Sequence, residues 1–172
     1  DTQARRLFDY YDNGGVDNFE RMVAYIRLRI FDSSQARVEA PIIFPSMGIY
    51  HPNSPSLIFN SLVAYEEWQA ARTVKRSSTS LRVGVMLQSS LIESAQTDVV
   101  DAAIAALEAK GAIVVPFYFQ LSPVAKDYRD LLQEDGKTVV DTIINFRSIH
   151  WANKRKTEFE NLGVPVVQAL TY

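Results

Sequence analysis

Beyond residue 80 the chain carries four short apolar runs: Leu81 to Leu87, Ala112 to Phe119, Val139 to Phe146 and Val164 to Leu170. Their near-continuous apolar character is that of strands buried on both faces. Helical patterns separate them. Thr97 is a candidate cap for a helix in which Val100, Ala103, Ile104 and Leu107 share one face, closed by Gly111. Ser122-Pro123 opens a second helix running to about Gln133, after which Asp135-Gly136 turns the chain. A third spans Trp151 to Leu162 and stops at Gly163. Strand and helix in strict alternation predict a parallel α/β sheet, Rossmann-like (flavodoxin-like), with right-handed crossovers and helices on both faces.

The lead into that sheet reads differently. Ala4, Leu7, Phe8 and Tyr11 form one helical face, and Asn13-Gly14-Gly15 stops it. Asp17 then suits the cap of a helix carrying Phe19, Met22, Val23, Ile26 and Ile30. The apolar segment Pro41 to Pro52 is interrupted by prolines, which predicts an extended, irregular stretch or an edge strand. Ser54 and Pro55 suit the start of a helix with Ile58, Leu62, Tyr65 and Trp68 on one side. The polar run Lys75 to Ser80 is the expected boundary between a mostly helical lead (1–76) and an α/β domain (81–172). The chain begins on Asp1 without an initiator Met and stops as its fourth strand ends, so it is expected to be a piece of a longer polypeptide, incomplete at both ends.

Composition narrows the function classes. With 18 Lys and Arg against 20 Asp and Glu, the net charge of −2 lacks the basic footprint of a nucleic-acid binder. The absence of cysteine excludes disulfide scaffolds, zinc ribbons and thiol nucleophiles, and two histidines cannot make a multi-histidine metal site. No apolar run is long enough to span a membrane, and Asp1 to Arg6 do not start a signal-like apolar region; the expected compartment is cytoplasmic. Glycine-rich dinucleotide and P-loop signatures are missing, as is a nucleophile elbow.

Open parallel sheets bind ligands beyond the carboxyl ends of their strands. The polar residues expected there are Gln88, Ser89, Ser90, Glu93, Gln120, Asn145, Arg147, Ser148 and His150. Tyr50 and His51, in the proline-rich segment, are candidates for an ordered binding loop. Glu66, Glu67, Asp98 and Asp101 fit solvated helix faces or caps.

Several strings resemble those of cobaltochelatase large subunits and magnesium chelatase H subunits. Tyr10 to Asn18 resembles the Y-x-x-x-G-G-x-x-N segment, and Met47 to Pro52 the M-G-[IL]-[YW]-H-P segment. Tyr65-Glu66-Glu67-Trp68 falls where the family has a Y-x-x-W helix. Leu107 to Pro116 is similar to L-E-x-x-G-[AL]-x-V-[IL]-P, Asp141 to Asn145 to D-x-[IV]-[IL]-N, and Leu162 to Ala169 to L-x-V-P-x-x-Q-A. Val83 to Gln88 is similar to the strand that the family ends in Arg-Ser-His. Here Ser89-Ser90-Leu91 stands instead, without the guanidinium and imidazole best suited to a carboxylate or metal.

The resemblance implies part of the large tetrapyrrole-binding subunit of an ATP-dependent metal chelatase, inactive alone, acting on a corrin or porphyrin with cobalt or magnesium as the metal substrate. It implies no cofactor in these residues. ATP and Mg belong to the implied partners, a AAA+ ATPase subunit and an integrin-domain subunit. Tetrapyrrole contacts would fall to His51, Tyr50, Gln88, Ser89, Ser90, Glu93, Asn145, Arg147 and His150. Walls would come from Phe117, Tyr118, Phe119, Tyr50 and Trp151. The alternatives are a haem-handling chelatase-like protein and a non-catalytic α/β ligand-binding or structural docking domain.

Overall fold

The computed structural model describes residues 2–32, 37–72, 80–120, 128–147, 156, 159–160 and 162–169. The boundary stretch 73–79, the first half of the predicted 122–133 helix, most of the predicted 151–162 helix including Trp151, Ser148 and His150 lie outside the described residues. Two compact units result: Asp1–Pro45 with Ser90–Gln96, and Ser46–Ser89 with Thr97–Tyr172.

In the first unit, α1 (Thr2–Asn13) and α2 (Val16–Tyr25) are joined by Gly14 and Gly15, both at positive φ. Glycine is required at the first of them: a Cβ on Gly14 would lie 2.4 Å from the Glu93 carbonyl oxygen. The cap of α2 is Gly15, with Asp17 already in the first turn, so the helix starts two residues earlier than the sequence predicts. A π-helical turn, Ile26–Phe31, prolongs α2. Asn18, buried, ties the extended segment to the helices by donating to Ile42 O and accepting from Ile42 N, both at 2.8 Å.

Among the described residues, the second unit is built on a six-stranded sheet. Its strands are β1 (Met47–Tyr50), β2 (Ile58–Phe59), β3 (Arg82–Leu87), β4 (Ile113–Phe119), β7 (Thr142–Asn145) and β8 (Val166–Gln168), in the order β2-β1-β4-β3-β7-β8. Two further strands, β5 (Gln133–Glu134) and β6 (Lys137–Thr138), form a separate hairpin. β4, β3, β7 and β8 run parallel, as their apolar runs predict. β1 and β2 add antiparallel strands. The proline-rich segment thus supplies a strand second from the edge, and the edge itself is β2. Ile58 and Phe59 pair with Tyr50 and Ile49, so the third helix is α3 (Leu62–Ala71), capped by Ser61 and not by Ser54. Ser54 instead folds the preceding turn, its hydroxyl accepting from Ser56 N at 3.2 Å.

Pro116 sits inside β4, a position that normally argues against a strand. Gln120 N–H donates to Ser46 O at 2.7 Å, which makes Ser46 and Gln120 a hydrogen-bonded pair. Stepping by two along the ladder puts Pro116 opposite Tyr50 with its ring nitrogen toward β1. The β1–β4 register ends at Ile49 and Phe117, one residue before the missing donor.

Side chains alternate across the sheet. Ile49, Met86, Val115, Phe117, Phe119 and Ile143 pack with Leu62 and Tyr65 of α3 and with Tyr128, Leu131 and Leu132. After the short helix α4 (Ser89–Glu93), α5 (Asp98–Ala109) covers the opposite face, and its Asp101 accepts from the Tyr50 hydroxyl at 2.8 Å. Where the sequence predicts a helix reaching Gln133, the described residues hold a 3-10 turn, Tyr128–Leu131. The β5–β6 hairpin follows about Asp135-Gly136, whose φ values of 49° and 74° suit a two-residue turn.

Candidate functional site

The chain leaves β3 to one side for β4 and later returns to the other side for β7. The carboxyl ends of β3 and β7 therefore flank the topological switch point, where open α/β sheets form a ligand crevice. Gln88 and Ser89 leave β3 there, both half-buried, and Asn145, Phe146 and Arg147 leave β7.

Asn145 and Arg147 form the floor of this edge. Asn145, 2% exposed, donates from Nδ2 to Gln168 Oε1 at 2.7 Å and accepts from Arg147 N at 2.9 Å. Gln168 returns with Nε2 to Arg147 O at 3.1 Å and Ala169 O at 2.8 Å. The Arg147 guanidinium donates to Phe119 O at 3.2 Å and lies 4.2 Å from the centroid of the Phe119 ring, which stacks on Tyr128 at 4.0 Å. Three strand ends, those of β4, β7 and β8, are thereby fastened by amide and guanidinium hydrogen bonds, which keeps buried polar groups satisfied.

Tyr50 and His51 stand elsewhere. β1 runs antiparallel to β4 with Met47 beside Phe119, so by strand rise the level of His51 is about 13 Å from the carboxyl edge. Both residues are buried. Burial, with Asp101 beside it, pushes the Tyr50 hydroxyl up to about 12. His51 Nδ1 accepts from Asn53 N at 3.2 Å, and Nε2 lies between Glu108 Oε1 at 3.3 Å and Arg72 Nη1 at 3.2 Å. Burial pulls the His51 pKa below its ordinary value despite the attraction of Glu108. Burial opposes charge on Glu108 as well, yet hydrogen bonds from Arg72 and the neighbouring positive charge hold its carboxyl below the usual range. Arg72 supplies two bonds, one from Nη1 and one from Nη2 at 3.0 Å, and its guanidinium lies 4.9 Å from the Trp68 ring centroid. This corner joins β1, α3 and α5 and holds a neutral histidine inside.

The edge thus gathers Gln88, Ser89, Asn145 and Arg147, whereas Tyr50 and His51 belong to the Glu108 corner. Ser90 and Glu93, on α4, go with the helical unit. Of the residues expected as aromatic walls, Phe117, Tyr118, Phe119 and Tyr50 are buried in the core, and Trp151 lies outside the described residues. Sequence reasoning missed Gln168, Arg72 and Glu108. Gln168 and Glu108 stand within two of the family strings, and a polar residue closing an apolar strand was the available signal for Gln168.

Among the described residues, no three His, Asp or Glu side chains converge where a metal ion could sit, and no helix is long and apolar enough to cross a membrane.

A family profile described as CobN/magnesium chelatase matches residues 8–172. The aerobic cobaltochelatase protein CobN of a Sinorhizobium species is 25% identical over 96% of this chain and 13% of its own. The H subunit of magnesium chelatase from Rhodobacter capsulatus is 28% identical over 79% of this chain and 11% of its own. The chain therefore spans about an eighth of the curated relatives it matches. In fold it is similar to the catalytic subunit of cobaltochelatase from Mycobacterium tuberculosis, with a TM-score of 0.55 at 18% identity, over 84% of this chain and 10% of that one. With a match across all but the first seven residues, the chain belongs to the CobN/magnesium chelatase family.

Proposed function

We propose that these residues serve the tetrapyrrole-handling large subunit of an ATP-dependent metal chelatase, with cobalt or magnesium as the metal substrate and a corrin or porphyrin as acceptor. The observation that carries this reading is the family match over residues 8–172. In the reading, ATP and Mg are held by partner subunits, a AAA+ ATPase and an integrin-domain protein, in the cytoplasm, and the 172 residues alone insert no metal. Gln88 and Ser89 meet polar groups of the macrocycle at the switch point, and Asn145 and Arg147 keep that edge rigid. Rigid support is what a polar recognition edge needs, because loosely held donors lose most of their binding contribution to ordering. His51 and Tyr50 act from within, by fixing β1 and α5. His150, Ser90 and Glu93 remain candidates on sequence grounds.

Protoporphyrin, a corrinoid and haem are titrated against the chain, following the Soret band and tryptophan fluorescence. At least one is expected to bind, and Gln88→Ala with Ser89→Ala is expected to weaken it about fivefold to tenfold. Failure of all three, with the circular dichroism of the folded chain intact, overturns the ligand reading in favour of a structural docking domain. Metal insertion by the chain alone overturns the assignment of that step to the complex.

A further inference from the structure

The helical unit leaves an apolar groove uncovered. It measures about 650 Å3 and runs along α2 and the π-helical turn that prolongs it, between Val16, Phe19, Val23, Ala24 and Leu28, with Glu20 and Arg27 at its margins. Val23, at its middle, is 62% exposed, and Phe31, at the end of the π-helical turn, is 78% exposed. Tyr11 of α1 meets Phe19 edge-on at 6.5 Å and widens the apolar surface. Isolated exposed apolar residues need no explanation, but a continuous stripe rimmed by charge marks an interaction surface.

The stripe has a mirror order about the point between Val23 and Ala24. Val16 mirrors Phe31, Phe19 mirrors Leu28, and Glu20 mirrors Arg27. An identical helix laid antiparallel on a twofold axis through that point faces each acid with a base and each large apolar side chain with another. An isologous interface requires this property, a single patch that complements itself. The closest approach falls at Val23 and Ala24, small residues that let two helices come near. Arg27 is engaged within the chain only loosely, 3.9 Å from Asp32 with both side chains well exposed. From this charge and shape order we infer that α2 is a self-association surface, whose groove is filled by α2 of a second copy of the chain. The inference is independent of the ligand reading above.

Light scattering and sedimentation equilibrium of the 172-residue chain test it, with a mass of twice 19.4 kDa expected for the dimer. Val23→Asp is expected to abolish the dimer. Glu20→Arg and Arg27→Glu, each alone, are expected to weaken it tenfold or more, since symmetry repeats each like-charge contact twice. The double exchange Glu20→Arg with Arg27→Glu is expected to restore it. Because the chain has no cysteine, Val23→Cys is expected to cross-link the dimer under mild oxidation, whereas Val63→Cys, exposed on the other unit, is not. A monomer at 100 μM or above (about the upper range of such measurements) overturns the proposal and leaves the groove to a different partner. A dimer indifferent to Val23→Asp, or one that the double exchange fails to restore, also overturns it.

Discussion

Glu108 receives both terminal nitrogens of Arg72, and the same carboxylate lies 3.3 Å from His51 Nε2. The pair is only slightly exposed, at 18% and 14% of its side-chain surface, so neither charge is solvated well enough to stand alone. Arg72→Met is expected to lower the unfolding free energy by about 2–3 kcal/mol, measured in urea, and Glu108→Gln by a similar amount. Arg72→Lys is expected to recover less than half of the loss, because a point-charge ammonium cannot reproduce the two-pronged contact or the stacking on Trp68. Full recovery by lysine would show that charge alone matters there.

His51 makes the acid side of the stability profile steeper. Its folded pKa lies below the ordinary histidine value, so as pH falls below about 6.5 the unfolded chain takes up a proton that the native state refuses. Stability is therefore expected to decline from that point until the folded imidazole itself protonates. Glu108, depressed in the folded state, keeps its contribution until still lower pH. Urea midpoints between pH 7.5 and 5 are expected to slope in the wild-type chain and to flatten in His51→Gln. An equal slope in both would assign it to other groups.

Tyr50 acts at the opposite end of the scale. With its folded pKa raised to about 12, the unfolded chain ionises first, and stability is expected to fall as pH rises from about 10 toward 12. Tyr50→Phe removes the bond to Asp101 and is expected to cost about 1 kcal/mol at neutral pH while lessening the alkaline loss. A titration of phenolate absorbance in the near ultraviolet, compared between the wild-type chain and Tyr50→Phe, gives a direct check.

Two glycines at positive φ separate backbone strain from steric conflict. Gly111, at φ 84°, has open space where a Cβ would stand, and Gly111→Ala is expected to cost about 1 kcal/mol. Gly14→Ala adds a clash with a backbone carbonyl that cannot swing away, and about 2–4 kcal/mol is expected. Equal thermal shifts for the two would discount the Glu93 contact.

The strands of the parallel sheet were legible because each is a short apolar run bounded by turn signals, and burial on both faces leaves no other use for such a run. What local sequence could not supply was pairing. Ser54-Pro55 is as good a helix start as Ser61 until Ile58 and Phe59 are claimed by β1. Gln133 continues a helical pattern until the Asp135-Gly136 turn folds it onto Thr138. The site divided in the same way. Strand ends were found from topology alone, so Gln88, Ser89, Asn145 and Arg147 came together. His51 and Glu108, 57 positions apart, meet only through the antiparallel course of β1.

Pro116 gives the sheet a stop. Sliding β1 by one residue along β4 would turn Ile49 out of the core. Sliding it by two toward the amino end of β4 would keep the faces but move the residue that lacks an N–H from the end of the ladder, opposite Tyr50, into its interior, opposite Gly48. β4 thus disfavours both of these shifts. The missing donor works as a ruler: it measures where β1 must halt and leaves Tyr50 and His51 at the height where Asp101 and Glu108 wait for them.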